Sequence, residues 1–175
     1  TFDRAYDYFR QELKVMEEHG IDDINLPTQY ASLAQCALEL GMPDSARMAL
    51  DKGRALRSDS PYQRFTLDKG TALYYLRIRD FDKARAYVDS AAMHFDGNPS
   101  MRSYLPGLRF LRTEYYRTTG QYDKALETVH EALIDSLQRE GGYLYYTLYK
   151  ELGDIHWLRG DMRRSAGNYR DYIHL

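Results

Sequence analysis

The five histidines, His19, His94, His130, His156 and His174, are the first residues to test for chemistry. No two stand at the i, i+4 spacing that would set two imidazoles on one helical face. None sits beside carboxylates in a metal-ligand pattern, so no metal site is expected. The single cysteine, Cys36, can form neither an intramolecular disulfide nor a Cys-based zinc site, and on the apolar side of a predicted helix it reads as a small buried hydrophobe. The Asp22/Asp23 pair lies in a loop with no acid-base partner and reads as solvated surface. Neither "GRALRSDS" nor "EGGYLYY" has the G-x-x-x-x-G-K spacing or a preceding strand of a phosphate loop, and there is no G-x-S-x-G elbow. Catalysis and a cofactor are therefore not expected. What remains is the chemistry of recognition: the one tryptophan, Trp157, the 17 tyrosines, and charged side chains able to meet a polypeptide.

Composition narrows the partners. With 24 basic and 26 acidic residues the formal net charge is −2, which disfavours nucleic acid as a partner. No apolar run approaches the ~20 residues that span a bilayer, and there is no positively charged start followed by an apolar segment. It begins without Met and ends at "YRDYIHL", which reads as a piece of a longer protein.

The elements that must position these side chains repeat. "GQYDKALETVHEAL" from Gly120 has counterparts in "TFDRAYDYFRQEL", "GMPDSARMALDKGRAL", "RDFDKARAYVDSAA" and "GDMRRSAGNYRDYI". Measured on the small residue after each charged pair, Ala5, Ala46, Ala84, Ala125 and Ser165, the copies are 41, 38, 41 and 40 residues apart, in the range of helical solenoids. After the turn Ala125, Val129, Ala132 and Leu133 follow helical spacing; before it Leu108, Leu111, Tyr115 and Tyr116 do the same. Each copy therefore predicts two antiparallel helices around a tight turn. "RSDSPYQR", "DGNPSMRSYLPG" and "REGG" supply the breaks between copies. The tyrosine pairs Tyr74/Tyr75, Tyr115/Tyr116 and Tyr145/Tyr146 point two ways, about 100° apart, so one ring of each is expected to pack between helices.

These residues resemble the tetratricopeptide repeat (TPR) family. The fourth copy carries Tyr149, Leu152, Gly153, His156 and Gly160, then Ser165, Tyr169 and Tyr172; the first carries Tyr30, Leu33, Ala34, Ala37 and Gly41, then Ala46, Leu50 and Gly53. The chain departs from the family in its longer period and in Arg109 and Arg112, which stand where the family has apolar residues. Small residues at Ala34, Ala72 and Gly153 allow close helix approach, with Leu50, Val88, Val129 and Tyr169 beside them. His156 takes a position where the family has a packed Tyr. The resemblance implies an all-α, right-handed superhelix of about nine antiparallel helices: a second helix at 1–19, then repeats at 27–58, 65–96, 106–138 and 146–175, all in one array. Phe2, Tyr6, Phe9 and Leu13 at one end, and the Tyr169/Tyr172 side at the other, lack polar caps, which predicts further repeats or self-association there.

In such an array the concave groove is lined by the first helix of each pair. This register makes Gln35, Leu38, Lys69, Leu73, Leu76, Arg77, Phe110, Glu114, Arg117, Lys150, Asp154 and Trp157 the candidate binding residues. Trp157 either anchors a partner or packs under a neighbouring repeat. The basic residues either receive a carboxylate or belong to a solvated mixed-charge face with Glu114 and Asp154. The family's Lys/Asn carboxylate clamp is not matched, because Lys69 and Lys150 are followed one turn later by Leu73 and Asp154. The Tyr-rich, long-period phrasing is also similar to the sensory arrays of bacterial membrane-bound histidine kinases and transcription regulators. The expectation is a non-catalytic protein- or peptide-binding module of a larger bacterial signalling protein, periplasmic in that setting; the alternative is a cytoplasmic peptide-binding regulator or scaffold.

Overall fold

A computed structural model of the chain describes residues 1–21, 23–56, 58–138 and 142–174, without the side chains of 136–138 and 142–146. Asp22 of the Asp22/Asp23 pair, most of "REGG", and the side chains of Tyr145 and Tyr146 thus lie outside the described residues. The fold is all-α. Nine α-helices occur among the described residues: α1 (Phe2–His19), α2 (Leu26–Glu39), α3 (Pro43–Ala55), α4 (Pro61–Arg77), α5 (Phe81–Met93), α6 (Leu105–Thr118), α7 (Tyr122–Gln138), α8 (Gly142–Arg159) and α9 (Met162–His174). A 3₁₀ turn at Pro99–Tyr104 leads into α6. No helix among the described residues is long and apolar enough to cross a membrane.

Local chemistry sets the helix ends. Prolines at the first turns of α2, α3 and α4 lose no hydrogen bond there, because those amides have no helical acceptor. Ser60, Asp80 and Asp161 cap the backbone amides of Gln63, Lys83 and Arg164. The turns closing α2, α4, α6 and α8 each need one left-handed residue. Gly41, Gly120 and Gly160 supply it with φ of 72°, 75° and 85°, but Arg79 holds the same conformation at φ 64°, where a Cβ is strained.

The chain divides into two compact units, Thr1–Leu108 and Arg109–Leu175. In the first, α2 packs with α3, α4 with α5, α1 on α2 and α4 on α2. Its core joins Leu13 of α1, Tyr30, Ala34 and Leu38 of α2, Ala46 and Leu50 of α3, and Leu67 and Tyr74 of α4. Ala34 and Ala72 are fully buried, as close approach requires. α1 is less exposed than its sequence suggested: Leu13 is buried and Tyr6 packs on the core, whereas Phe2 stays half-exposed. Glu17 binds α1 across to the hairpin, accepting from the Lys52 ammonium at 2.6 Å and from the Tyr30 hydroxyl.

In the second unit α8 packs with α7 and with α9. Ala125, Leu126, Val129 and Leu133 of α7 meet Leu152 and Ile155 of α8, with Tyr116 of α6 against them. A Cβ on Gly153 would come within 2.9 Å of the Tyr169 ring, so the glycine and the ring form one joint between α8 and α9. Tyr169 itself is therefore spent inside this unit and is corrected as an end residue; α9 leaves Met162 and Ile173 exposed. Arg109 is accommodated by an ion pair to Asp135 of α7 at 2.7 Å.

Candidate functional site

In the second unit the candidate residues fall in two helical stripes. On α6, Phe110, Glu114 and Arg117 share a face; on α8, Lys150, Asp154 and Trp157 do. Both Arg117 Nη2 contacts to Glu114 are 2.7 Å, to Oε1 and Oε2. Lys150 Nζ donates to Asp154 Oδ2 at 2.8 Å, and the Tyr169 hydroxyl donates to Asp154 Oδ1 at 2.5 Å. Burial opposes ionisation of Asp154, but the hydrogen bonds from Lys150 and Tyr169 outweigh it and hold the carboxyl below the usual range. The same bond to Asp154, with some burial, pushes the Tyr169 phenol up to about 12. Arg117 is partly desolvated, and its pairing with Glu114 more than offsets that. Trp157 and Phe110 flank this charged face from exposed positions, 60% and 39% accessible.

In the first unit Gln35, Lys69 and Leu73 are half-buried, and Arg77 reaches Glu39 of α2 at 3.9 Å. Both partners of that ion pair are about half exposed, so it contributes little. Lys69 makes no hydrogen bond or ion pair with a described residue, and burial pulls its ammonium below the ordinary lysine value. Leu38 and Leu76 are corrections. They were assigned to an open face, but at 3% and 6% accessibility both are core. The reason is lateral packing: α4 lies against α2, so a side chain that points away from its own hairpin partner can still face the neighbouring first helix.

With that geometry in view, comparison with known proteins bears on the fold alone. No family model matches the chain, and no curated protein matches it in sequence. Among solved structures it is similar to BtubC (BKLC) from P. vanneervenii, with a TM-score of 0.68 at 16% identity, over 99% of this chain and 71% of that one. The likeness is one of helical fold.

Two groups escaped the reading of the sequence. Glu151 lies 100° around α8 from the Lys150/Asp154/Trp157 stripe, on the flank facing Glu114; burial first, and then the Glu114 charge, raise its pKa. The other is a buried network in the first unit. Asp68 of α4 accepts from Arg54 Nη2 at 2.7 Å, Ser90 Oγ at 2.7 Å and His94 Nε2 at 2.9 Å. Residues from three helices meet there, with sequence separations of 14, 22 and 26 that no local pattern reveals.

His156 packs, as its position in the repeat predicts. It is 6% accessible, and its Nδ1 is buried with no hydrogen-bond partner among the described residues. Burial lowers its pKa below 6.5; Asp161 opposes this, while Arg164, Arg159 and His130 add to it. The unfolded chain therefore takes up a proton near pH 6.5 that the folded chain resists. The contribution is fully present above that pH and declines as pH falls toward the folded value, by at most about 1.4 kcal/mol per pH unit. Urea unfolding of the wild type and His156→Phe between pH 5 and 8 reads this directly. The wild type is expected to lose stability more steeply below pH 6.5, and parallel profiles would remove His156 as the cause.

Proposed function

We propose that this chain is a non-catalytic module that binds protein or peptide, a tetratricopeptide-type solenoid serving as the sensory or scaffold part of a larger bacterial signalling protein. The observation that carries the reading is Trp157: a large aromatic left 60% accessible on α8, one turn beyond a mixed-charge cluster that α6 and α8 build together. Exposed indoles beside ordered charges suit partner anchoring, since burial of the ring and its N–H contribute together. Lys69 supports the same use of α4, because a partner's acceptor would restore what desolvation has taken from its ammonium. A cytoplasmic regulator or assembly scaffold would use the same surface.

Trp157 is the only tryptophan, so it also reports on binding. Peptides selected against the intact chain from a displayed library are expected to shift its emission to the blue. Trp157→Ala combined with Arg117→Glu should weaken them by about thirtyfold, the scale of a hot-spot loss. Selected peptides that bind the double variant unchanged, yet lose affinity on Arg85→Glu of the exposed α5 face, would overturn the assignment.

A further inference from the structure

Lys69, Leu73 and Leu76 occupy one side of α4. At 100° per residue, Thr71, Tyr74, Tyr75 and Ile78 occupy the other, and they face the second helices α3 and α5. A cavity of about 290 Å³ opens there, bounded by Leu50 and Arg54 of α3, this side of α4, and Lys83 and Tyr87 of α5. Nothing in the groove reading uses it.

The lining has a sign and a shape. Arg47, Arg54 and Lys83 stand around it against a single carboxylate, Asp51. The Arg47–Asp51 pair is 3.8 Å apart with both side chains about two-thirds exposed, so a competing anion displaces it at little cost. Lys83 is held by Asp80 at 2.9 Å, outside the lining, and Arg54 by the buried Asp68. The floor is aromatic. Tyr75 and Tyr87 lie nearly parallel, centroids 5.6 Å apart, and Tyr74 meets Tyr75 edge-on. Lys83 sits 5.3 Å over the Tyr75 ring and Arg54 4.8 Å over the Tyr87 ring, which biases both cations toward the floor before any ligand arrives. Ile78 leaves an apolar edge 44% accessible at the rim. The volume equals roughly ten waters, so a bare oxyanion or a bare ring would each leave about half of it wet, whereas a ring joined to an oxyanion, about ten non-hydrogen atoms, comes near to filling it.

We propose that this cavity binds an aromatic anion, a planar ring carrying a phosphate or carboxylate group. The ring lies against Tyr74 and the aliphatic side chains of Leu50 and Ile78, and the oxyanion meets Arg47 and Lys83 at the mouth. The proposal is independent of the peptide-binding reading, because the two use opposite sides of α4.

The test titrates the intact chain with phenyl phosphate while backbone amide shifts are followed by NMR. Inorganic phosphate and N-acetyltyrosinamide are run as the anion alone and the ring alone. Phenyl phosphate is expected to move the amides of Tyr74, Tyr75, Ile78 and Lys83, and to bind at least about tenfold more tightly than either half. Arg47→Glu and Lys83→Glu, both on exposed helix surface, should abolish the shifts without altering the circular dichroism. A blocked Gly-phosphotyrosine-Gly peptide then separates the sources: tighter binding than phenyl phosphate assigns the site to a modified protein side chain, and equal binding assigns it to small aromatic acids. Phenyl phosphate that leaves these amides unmoved, or inorganic phosphate that binds as well, overturns the proposal.

Discussion

Asp68→Ala is expected to lower the unfolding free energy by about 3 kcal/mol, the lower end of the range for breaking a buried ion pair from one side. The carboxylate is only 9% accessible and accepts three hydrogen bonds, from Arg54 of α3, Ser90 of α5 and His94 just past the end of α5. Truncation leaves Ser90 and His94 without an acceptor and Arg54 with an uncompensated charge. The loss is held to the lower end because the Arg54 side chain is 35% accessible and keeps its bond to Thr71 and its place over Tyr87. Chemical denaturation followed by circular dichroism measures the effect. Asp68→Asn, which retains an acceptor but not the charge, should fall between the two. A change under about 1 kcal/mol on truncation would show that water replaces the carboxylate without penalty.

The second large effect lies in the other unit. Ile155 is fully buried among Leu152 and the α7 residues Val129 and Leu133. Ile155→Ala removes three carbons from a close-packed site and should cost about 2–5 kcal/mol, against about 0.5–1.5 kcal/mol for Ile155→Val. Trp157 is two residues along the same helix, so its fluorescence during urea unfolding reads this unit directly. An alanine variant no weaker than the valine variant would mean that the site collapses around the missing atoms.

Features set within a single hairpin were legible in the sequence. The all-α class, the turn glycines at 41, 120 and 160, and the Gly153/Tyr169 joint all come from signals within one repeat, because hairpin geometry is set by residues a few turns apart. Contacts between neighbouring hairpins were not legible. Leu38 and Leu76 read as exposed because their burial comes from the packing of α4 on α2. The Asp68 network drew no notice because its members are spread over three helices. Glu151 was missed because its surroundings depend on α6, which no spacing within α8 reports. The turn at Arg79 was legible, but not its left-handed backbone, which glycine marks elsewhere. Tyr145 and Tyr146 lie outside the described side chains.

The helix pairings carry a kinetic consequence. α2 packs with α3, α4 with α5, and α8 with α9, so these partners adjoin in sequence and are separated by turns of only a few residues; α8 also packs with α7, the helix before it. Closing such short loops costs little chain entropy, and proteins built from local contacts cross their folding barriers quickly. Any of these hairpins can serve as a nucleus on which its neighbour condenses. An emerging chain would thus gain structure progressively, one hairpin at a time, without waiting for its far end.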